Sequence, residues 1–368
     1  MTFDATRLVH SGIAELHPYE PGKPVEDLQR ELGLERIVKL ASNENPFGPS
    51  PAAITRMQQM ASEMHRYPDG AARELREALS TKIAVPVEQI ITGNGSNELL
   101  ELALRTFVRP GETVVSAAIT FAVYGLLSQA LGARYITAPM DGLAYDLDAL
   151  ADLAEAHDAR LIFVANPNNP TGTACSRAQM RSFLGRISPN RIVVYDAAYA
   201  EYADPDQVSD GLDLLSEFPN VFVTRTFSKA YGLAGLRIGW GVGHPSAIDM
   251  MQRVRQPFNV NRMGQGAAVA ALDDTEFLDR VVEQNRRSIE WLTAELGQIG
   301  LRVHPSQANF VLFDVPRPAD ELFEALLHEG VIVRSMRGFG LPHHLRVNTG
   351  TDDENAFFVA ALRRVLGR

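Results

Sequence analysis

The sequence predicts an α/β protein: a three-layer large domain on a mainly parallel sheet, followed by a smaller α+β domain. Three observations predict it. Short, continuously apolar runs alternate with helical patterns through the middle of the chain, the texture of strands buried on both faces of a parallel sheet. Beyond about residue 272 this alternation gives way to one long amphipathic helix pattern and a few further strands and helices. The length, 368 residues, exceeds one small domain and suits a large domain plus a smaller one.

In chain order, residues 1–40 are rich in Pro and Glu and read as an arm, counted with the small domain. The large domain is expected over 41–272. Its strand-like runs are Gln89–Thr92, Thr113–Val115, Leu161–Val164, Ile192–Tyr195 and Val221–Thr224. Helical patterns lie between them, for instance Asn97–Phe107 and Arg177–Gly185. The small domain is expected over 273–368. It opens with a helix pattern from Asp273 to Gly300. A strand at Asn309–Phe313, a helix near Ala319–Glu329, a strand at Val331–Arg334 and a last helix from Asp352 follow.

Composition narrows the class of function. Apolar residues make up 45% of the chain, charged residues 22%, and the formal net charge is −10. That balance argues against a nucleic-acid partner, which calls for a basic face. The single cysteine, Cys175, allows no intrachain disulfide and suits a reducing cytoplasm. No apolar run approaches the roughly 20 residues that span a bilayer, and the N-terminus lacks the apolar core of a signal peptide. His343-His344 lies in a loop-like stretch and reads as solvated, so no metal site is expected.

The strand ends carry the chemistry. The run at Ile90 ends in Gly93-Asn94-Gly95-Ser96-Asn97-Glu98 and opens a helix, whose free N–H groups suit a phosphate. Glu98 stands where a dinucleotide fingerprint needs its third glycine, and the motif alone leaves a tight turn or a phosphate site open. The run at Leu161 ends in Asn166-Pro-Asn-Asn-Pro-Thr-Gly172, turn residues at the carboxyl end of a buried strand, where open α/β sheets bind ligands. Asp196 follows an apolar strand directly, a costly place for a carboxylate without a cationic partner. The run at Val221 leads into Thr226-Phe-Ser228-Lys229, with Arg237 eight residues on.

Taken together, Asn169-Pro-Thr-Gly172, Asp196-x-x-Tyr199, Thr226-x-Ser-Lys229 and Arg237 resemble the fold-type I pyridoxal-phosphate (PLP) aminotransferases, in order and in spacing. Lys39-Leu-Ala-Ser-Asn-Glu-Asn-Pro46, Arg66-Tyr67-Pro-Asp69, Gly93–Glu98, Val333-Arg334 and Leu345-Arg346-Val347 are similar to the histidinol-phosphate aminotransferase branch. The resemblance runs from about Tyr19 to Asn355.

The resemblance implies roles. Lys229 would bond the cofactor as a nucleophile and later carry the proton that moves during the reaction. Asp196 would pair with the pyridine nitrogen, and Tyr199 and Asn169 would hydrogen-bond the ring oxygen. Gly95, Ser96, Thr226, Ser228 and Arg237 would hold the cofactor phosphate. Phe121 would stack on the cofactor ring; Ile119 stands where the branch usually has Pro, which puts the local turn in question. Tyr67 would reach the phosphate from a neighbouring subunit, implying a homodimer with shared sites. Arg346 would grip the anionic end of the substrate, Arg334 its phosphate, and Tyr19 would make a further substrate contact.

The implied reaction is amino transfer between L-glutamate and imidazole-acetol phosphate, giving 2-oxoglutarate and L-histidinol phosphate. An aromatic amino-acid aminotransferase is the nearest alternative, since an aromatic ring and an anionic end are common to both substrates. A PLP decarboxylase of an amino-acid phosphate uses the same scaffold. A PLP-sensing transcription regulator would need a basic helix-turn-helix segment, for which the sequence ahead of Tyr19 leaves no room.

Overall fold

The computed structural model describes residues 3–18 and 22–368; Tyr19, expected as a substrate contact, lies outside the described residues. In chain order the strands are β1 (Val38–Lys39), β2 (Ile90–Gly93), β3 (Thr113–Ala117), β4 (Arg134–Ala138), β5 (Met140–Asp141), β6 (Ala144–Tyr145) and β7 (Leu161–Ala165). Then come β8 (Ile192–Asp196), β9 (Val221–Thr226), β10 (Gly239–Val242), β11 (Phe310–Asp314), β12 (Val331–Ile332), β13 (Arg334–Ser335) and β14 (His344–Asn348). Each apolar run read from the sequence forms a strand.

The main sheet has the order β2-β10-β9-β8-β7-β3-β4. β4, β3, β7, β8 and β9 pair in parallel, and β10 runs antiparallel between β9 and β2. Successive side chains of a strand face opposite sides, and both sides are apolar here. Val193 and Tyr195 of β8 pack with Ile162 and Val164 against Leu150, Met180 and Phe183 of the helices Leu147–Ala156 and Arg177–Arg186. Val194 packs on the other side with Phe163 and Phe222 against Leu99, Leu100 and Met251 of the helices Ser96–Phe107 and Pro245–Val254. That is the three-layer arrangement. From the β3–β7 pair the strand order runs outward in opposite directions, and at such a reversal the loops beyond the carboxyl ends part to leave a crevice.

A second core lies against the sheet β11-β14-β13, which is antiparallel throughout. Val311, Phe313, Leu345 and Val347 meet Leu292 and Leu296 of the helix Thr275–Gln298, Leu322 and Leu326 of Ala319–His328, and Phe358 and Leu362 of Asp352–Leu366. The N-terminal segment is more ordered than an arm: its helix Val25–Leu32 buries Leu28 against Leu327 and Ile332. Its strand β1 pairs in parallel with β12.

Three expectations need correction. The run Val331–Arg334 is divided between two sheets: Val331 and Ile332 pair with β1, whereas Arg334 pairs with Arg346. The long helix begins at Thr275, because the Asp274 side chain accepts the Phe277 N–H and caps it there. His344 belongs to β14 and is half-buried against Asp314, so only His343 is a solvated residue.

Candidate active site

A cavity of about 440 Å³ opens at the carboxyl ends of β7, β8 and β9, within the size range of small-molecule and cofactor sites. Eleven residues read from the sequence line it: Ser96, Phe121, Asn169, Asp196, Tyr199, Thr226, Ser228, Lys229, Arg237, Arg334 and Arg346. Gly95 lies immediately behind Ser96. Tyr67 does not line the cavity of its own chain; it is 79% exposed and stacks on Phe258 at 4.8 Å.

Lys229 follows the end of β9, and its Nζ donates to the Ser42 carbonyl at 3.1 Å. Desolvation in the cavity, with Arg346 and Arg237 adding like charge against Glu44, brings its amine down to about 8. The amine is thus ready to exist in its neutral, nucleophilic form close to neutral pH. Its Nζ stands 5.8 Å from the centre of the Tyr199 ring. The Tyr199 hydroxyl accepts from Asn43 Nδ2 at 2.8 Å, and its ring meets Phe310 edge-on.

Asp196 ends β8 and is 5% exposed. Tyr124 donates to its Oδ2 at 2.7 Å and Thr224 to its Oδ1 at 3.1 Å. Burial pushes the carboxyl above its ordinary range, and these hydrogen bonds work against the shift. Neutral donors alone leave a buried carboxylate costly, and a cation bound on the cavity side would offset that cost. Tyr124 is fully buried and stacks on Phe163 at 4.4 Å with the planes nearly parallel, so its hydroxyl is aimed by packing.

At one end of the cavity, the helix Ser96–Phe107 begins with Gly95 as N-cap in the left-handed region, φ 78°, and with no side chain capping it. Its first N–H groups are therefore available. A Cβ on Gly95 would stand 2.6 Å from Arg237 Nη2, and one on Gly239 would stand 2.6 Å from the Ser96 nitrogen. Arg237, itself at φ 52°, donates to Ser228 Oγ at 3.3 Å and to the Ala234 carbonyl at 3.0 Å. Glu98, out of place in a dinucleotide fingerprint, accepts from the Asn94 N–H and from Asn259.

At the other end, Arg334 of β13 and Arg346 of β14 are register partners, and both line the cavity. Arg346 donates to Asn169 Oδ1 at 2.5 Å and to the Ala41 carbonyl at 2.7 Å. The Asn-Pro run after β7 is divided in use. Asn166 bonds Cys175 and the Tyr195 hydroxyl, while Asn168 bonds Thr171 and the Ile119 carbonyl. Asn169 alone of the three lines the cavity. The bonds from Asn168, together with Thr120 donating to Asn168 Oδ1, hold the turn at Ile119 without a proline.

Sequence reasoning missed Tyr124, Thr224, Asn43 and Ser42. Tyr124 and Thr224 lie inside apolar elements and read as core. Asn43 and Ser42 belong to the noted Lys39–Pro46 stretch, but only the fold brings that stretch to β9.

Comparison with known proteins gives one family. The pattern of the aminotransferase class I and II family matches residues 35–362. A histidinol-phosphate aminotransferase of Methylococcus capsulatus is 47% identical, covering 98% of this chain and 99% of its own. One from Nitrosococcus oceani is 46% identical, covering 98% and 97%. Among solved structures, the histidinol-phosphate aminotransferase of Sinorhizobium meliloti in complex with pyridoxal 5′-phosphate superposes with a TM-score of 0.89 at 29% identity, covering 98% and 97%. The aspartate aminotransferase of Thermus thermophilus shares the fold, with a TM-score of 0.83 at 21% identity. The fold agrees with these matches, and the chain belongs to the class I and II aminotransferases, in the histidinol-phosphate aminotransferase branch.

Proposed function

We propose that this chain uses pyridoxal 5′-phosphate to move an amino group between L-glutamate and imidazole-acetol phosphate, yielding 2-oxoglutarate and L-histidinol phosphate, as in histidine biosynthesis. The cavity fits the cofactor. The glycine positions Gly95 and Gly239 leave room that a Cβ would fill, beside free helix N–H groups and Arg237, as a phosphate requires. Bound, the cofactor supplies an electron sink for the bond broken at the substrate Cα.

The chain's own groups divide the remaining work. Lys229 would bond the cofactor as a nucleophile and would hold or move the proton at the substrate Cα. Asp196, its two oxygens fixed by Tyr124 and Thr224, would keep the ring nitrogen protonated. Tyr199 and Asn169 would hydrogen-bond the ring oxygen, and Phe121 would stack on the ring. Ser96, Thr226, Ser228 and Arg237 hold the phosphate.

One observation carries the substrate assignment: two guanidinium groups, Arg334 and Arg346, are register partners at one end of the cavity. A dianionic phosphate can engage two forks, whereas a carboxylate is satisfied by one. The test is kcat/KM for imidazole-acetol phosphate and phenylpyruvate in wild type and Arg334→Ala. The variant should lose about 2–3 kcal/mol, roughly 30- to 150-fold, with the phosphate substrate and much less with phenylpyruvate. Equal losses would make Arg334 structural, and a wild-type preference for phenylpyruvate would make the chain an aromatic aminotransferase.

The same reading makes the protein a cytoplasmic homodimer, with residues 41–272 as the cofactor-binding domain and 273–368, joined by 1–40, as the small domain. The exposed Tyr67–Phe258 stack, outside its own cavity, supports a role for Tyr67 in a neighbour's site. Mixed dimers of Tyr67→Phe and Lys229→Ala chains should then recover activity that neither variant has alone. Failure to recover any would remove the shared site. No helix among the described residues is long and apolar enough to cross a membrane.

A further inference from the structure

Away from the cavity lining, three side chains converge on one face of the small sheet. Asp314 and His344 are opposite partners on β11 and β14. On the other flank of β11, Val303 bridges Phe313, the His304 N–H donates to the Leu312 carbonyl, and the Asp314 N–H donates to the Arg302 carbonyl. Alternation then sends His304, Asp314 and His344 to the same side. His304 Nε2 lies 2.6 Å from Asp314 Oδ1, and His344 Nε2 lies 3.1 Å from the same oxygen. The three atoms are all within 4.8 Å of one another.

We propose that His304, Asp314 and His344 form a binding site for a divalent transition-metal ion of the zinc class. Two imidazoles presenting Nε2 and one carboxylate are the donor set of such ions, whereas calcium and magnesium require oxygen ligands. Bonds of about 2.1 Å in a tetrahedral ion place ligand atoms about 3.4 Å apart. The two spacings to Asp314 Oδ1, 2.6 and 3.1 Å, fall just short of that value, so the side chains need only open slightly about the ion. The His344 ring makes its polar contact through Nε2 alone, its Nδ1 being buried without a partner. The Asp314 side chain is 39% exposed, which leaves one side for water as a fourth ligand. Arg302 and His343 are basic groups near His344 and weaken the attraction for a cation. His344 lies two residues before Arg346 on β14, yet none of the three side chains lines the cavity.

The test uses tag-free holoenzyme titrated with Co²⁺ and, in competition with a chromogenic chelator, with Zn²⁺. The expected result is one ion per chain, visible d–d bands for Co²⁺ that Zn²⁺ abolishes, and a raised thermal midpoint. His304→Gln and His344→Gln should each weaken binding by at least an order of magnitude, with kcat/KM for amino transfer unchanged. Asp314→Asn gives the same reading should either histidine variant fail to fold. An absence of stoichiometric binding at 0.1 mM metal in the titration would overturn the site, as would binding that survives the double histidine substitution.

Discussion

The two ends of the cavity are both built for anions, yet by opposite means. At the Gly95 end the donors are main-chain N–H groups at a helix start, short hydroxyls from the end of β9, and one guanidinium tied to Ser228. Little freedom remains there to be lost on binding. At the Arg334–Arg346 end the donors are long side chains on a small antiparallel sheet, and Arg346 already spends its fork on Asn169 and Ala41. The first arrangement suits a group that stays; the second suits one that arrives and leaves, exchanging partners each time. Preorganised donors bind at a lower entropic cost, so the same charge on a ligand is worth more at the first end than at the second.

The centre between the ends should outweigh both. Asp196→Asn should keep the cofactor and lose at least about 10³-fold in kcat, roughly 4 kcal/mol of transition-state stabilisation, because an amide cannot hold the ring nitrogen protonated. Steady-state kinetics with a cofactor absorbance spectrum measure both, and near-normal turnover would assign that task to another group. Next in size, Gly95→Ala attacks the rigid end. The new Cβ stands 2.6 Å from Arg237 Nη2 at φ 78° and ψ 169°, a conformation that residues with side chains rarely adopt, and the backbone alone costs about 1–3 kcal/mol. Cofactor dissociation should strengthen about 10- to 100-fold by equilibrium dialysis, with substrate KM changing less; an unaltered dissociation constant would show that this end is as adaptable as the other. The smallest effect is one of pH. With the Lys229 amine lowered to about 8, its neutral fraction rises with pH and saturates just above that value. Cofactor uptake by apoprotein should therefore rise about tenfold from pH 7 to its plateau. A rate still climbing through pH 10 would mean an ordinary lysine.

The same contrast explains what could be read in advance. Residues of the rigid end follow apolar strands directly, and burial on both faces makes those strands visible as continuous apolar runs: Phe163 and Val194 announce β7 and β8. β10 was invisible because Gly239 and Gly241 hold half of its four positions, and they are glycine for packing reasons: a Cβ would collide with the Ser96 nitrogen and with Phe222. β4 was missed because its edge sequence, Arg134–Ala138, mixes charge with aromatic and polar residues. Arg334 and Arg346 were found as residues and as a resemblance, but their direct pairing depends on register. The Tyr124–Asp196 bond spans 72 residues and leaves no local signal, since a tyrosine in an apolar helix reads as core.

The pairing of β1 with β12 has a consequence for how the molecule comes into being. Val38 meets Val331, about four-fifths of the chain of 368 residues away, and the residues just after β1 include Ser42, whose carbonyl receives Lys229, and Ala41, whose carbonyl receives Arg346. Closing so long a loop costs little more than closing one of half the length. In synthesis, however, β1 leaves the ribosome long before its partner exists. The parallel sheet can assemble on the nascent chain while β1 waits, and the floor of the cavity is laid only when the last tenth of the polypeptide appears. Completion of the pocket is thus a late event: a product truncated before residue 331 retains Lys229 and Asp196 but lacks the strand that pairs with β1, next to Ser42.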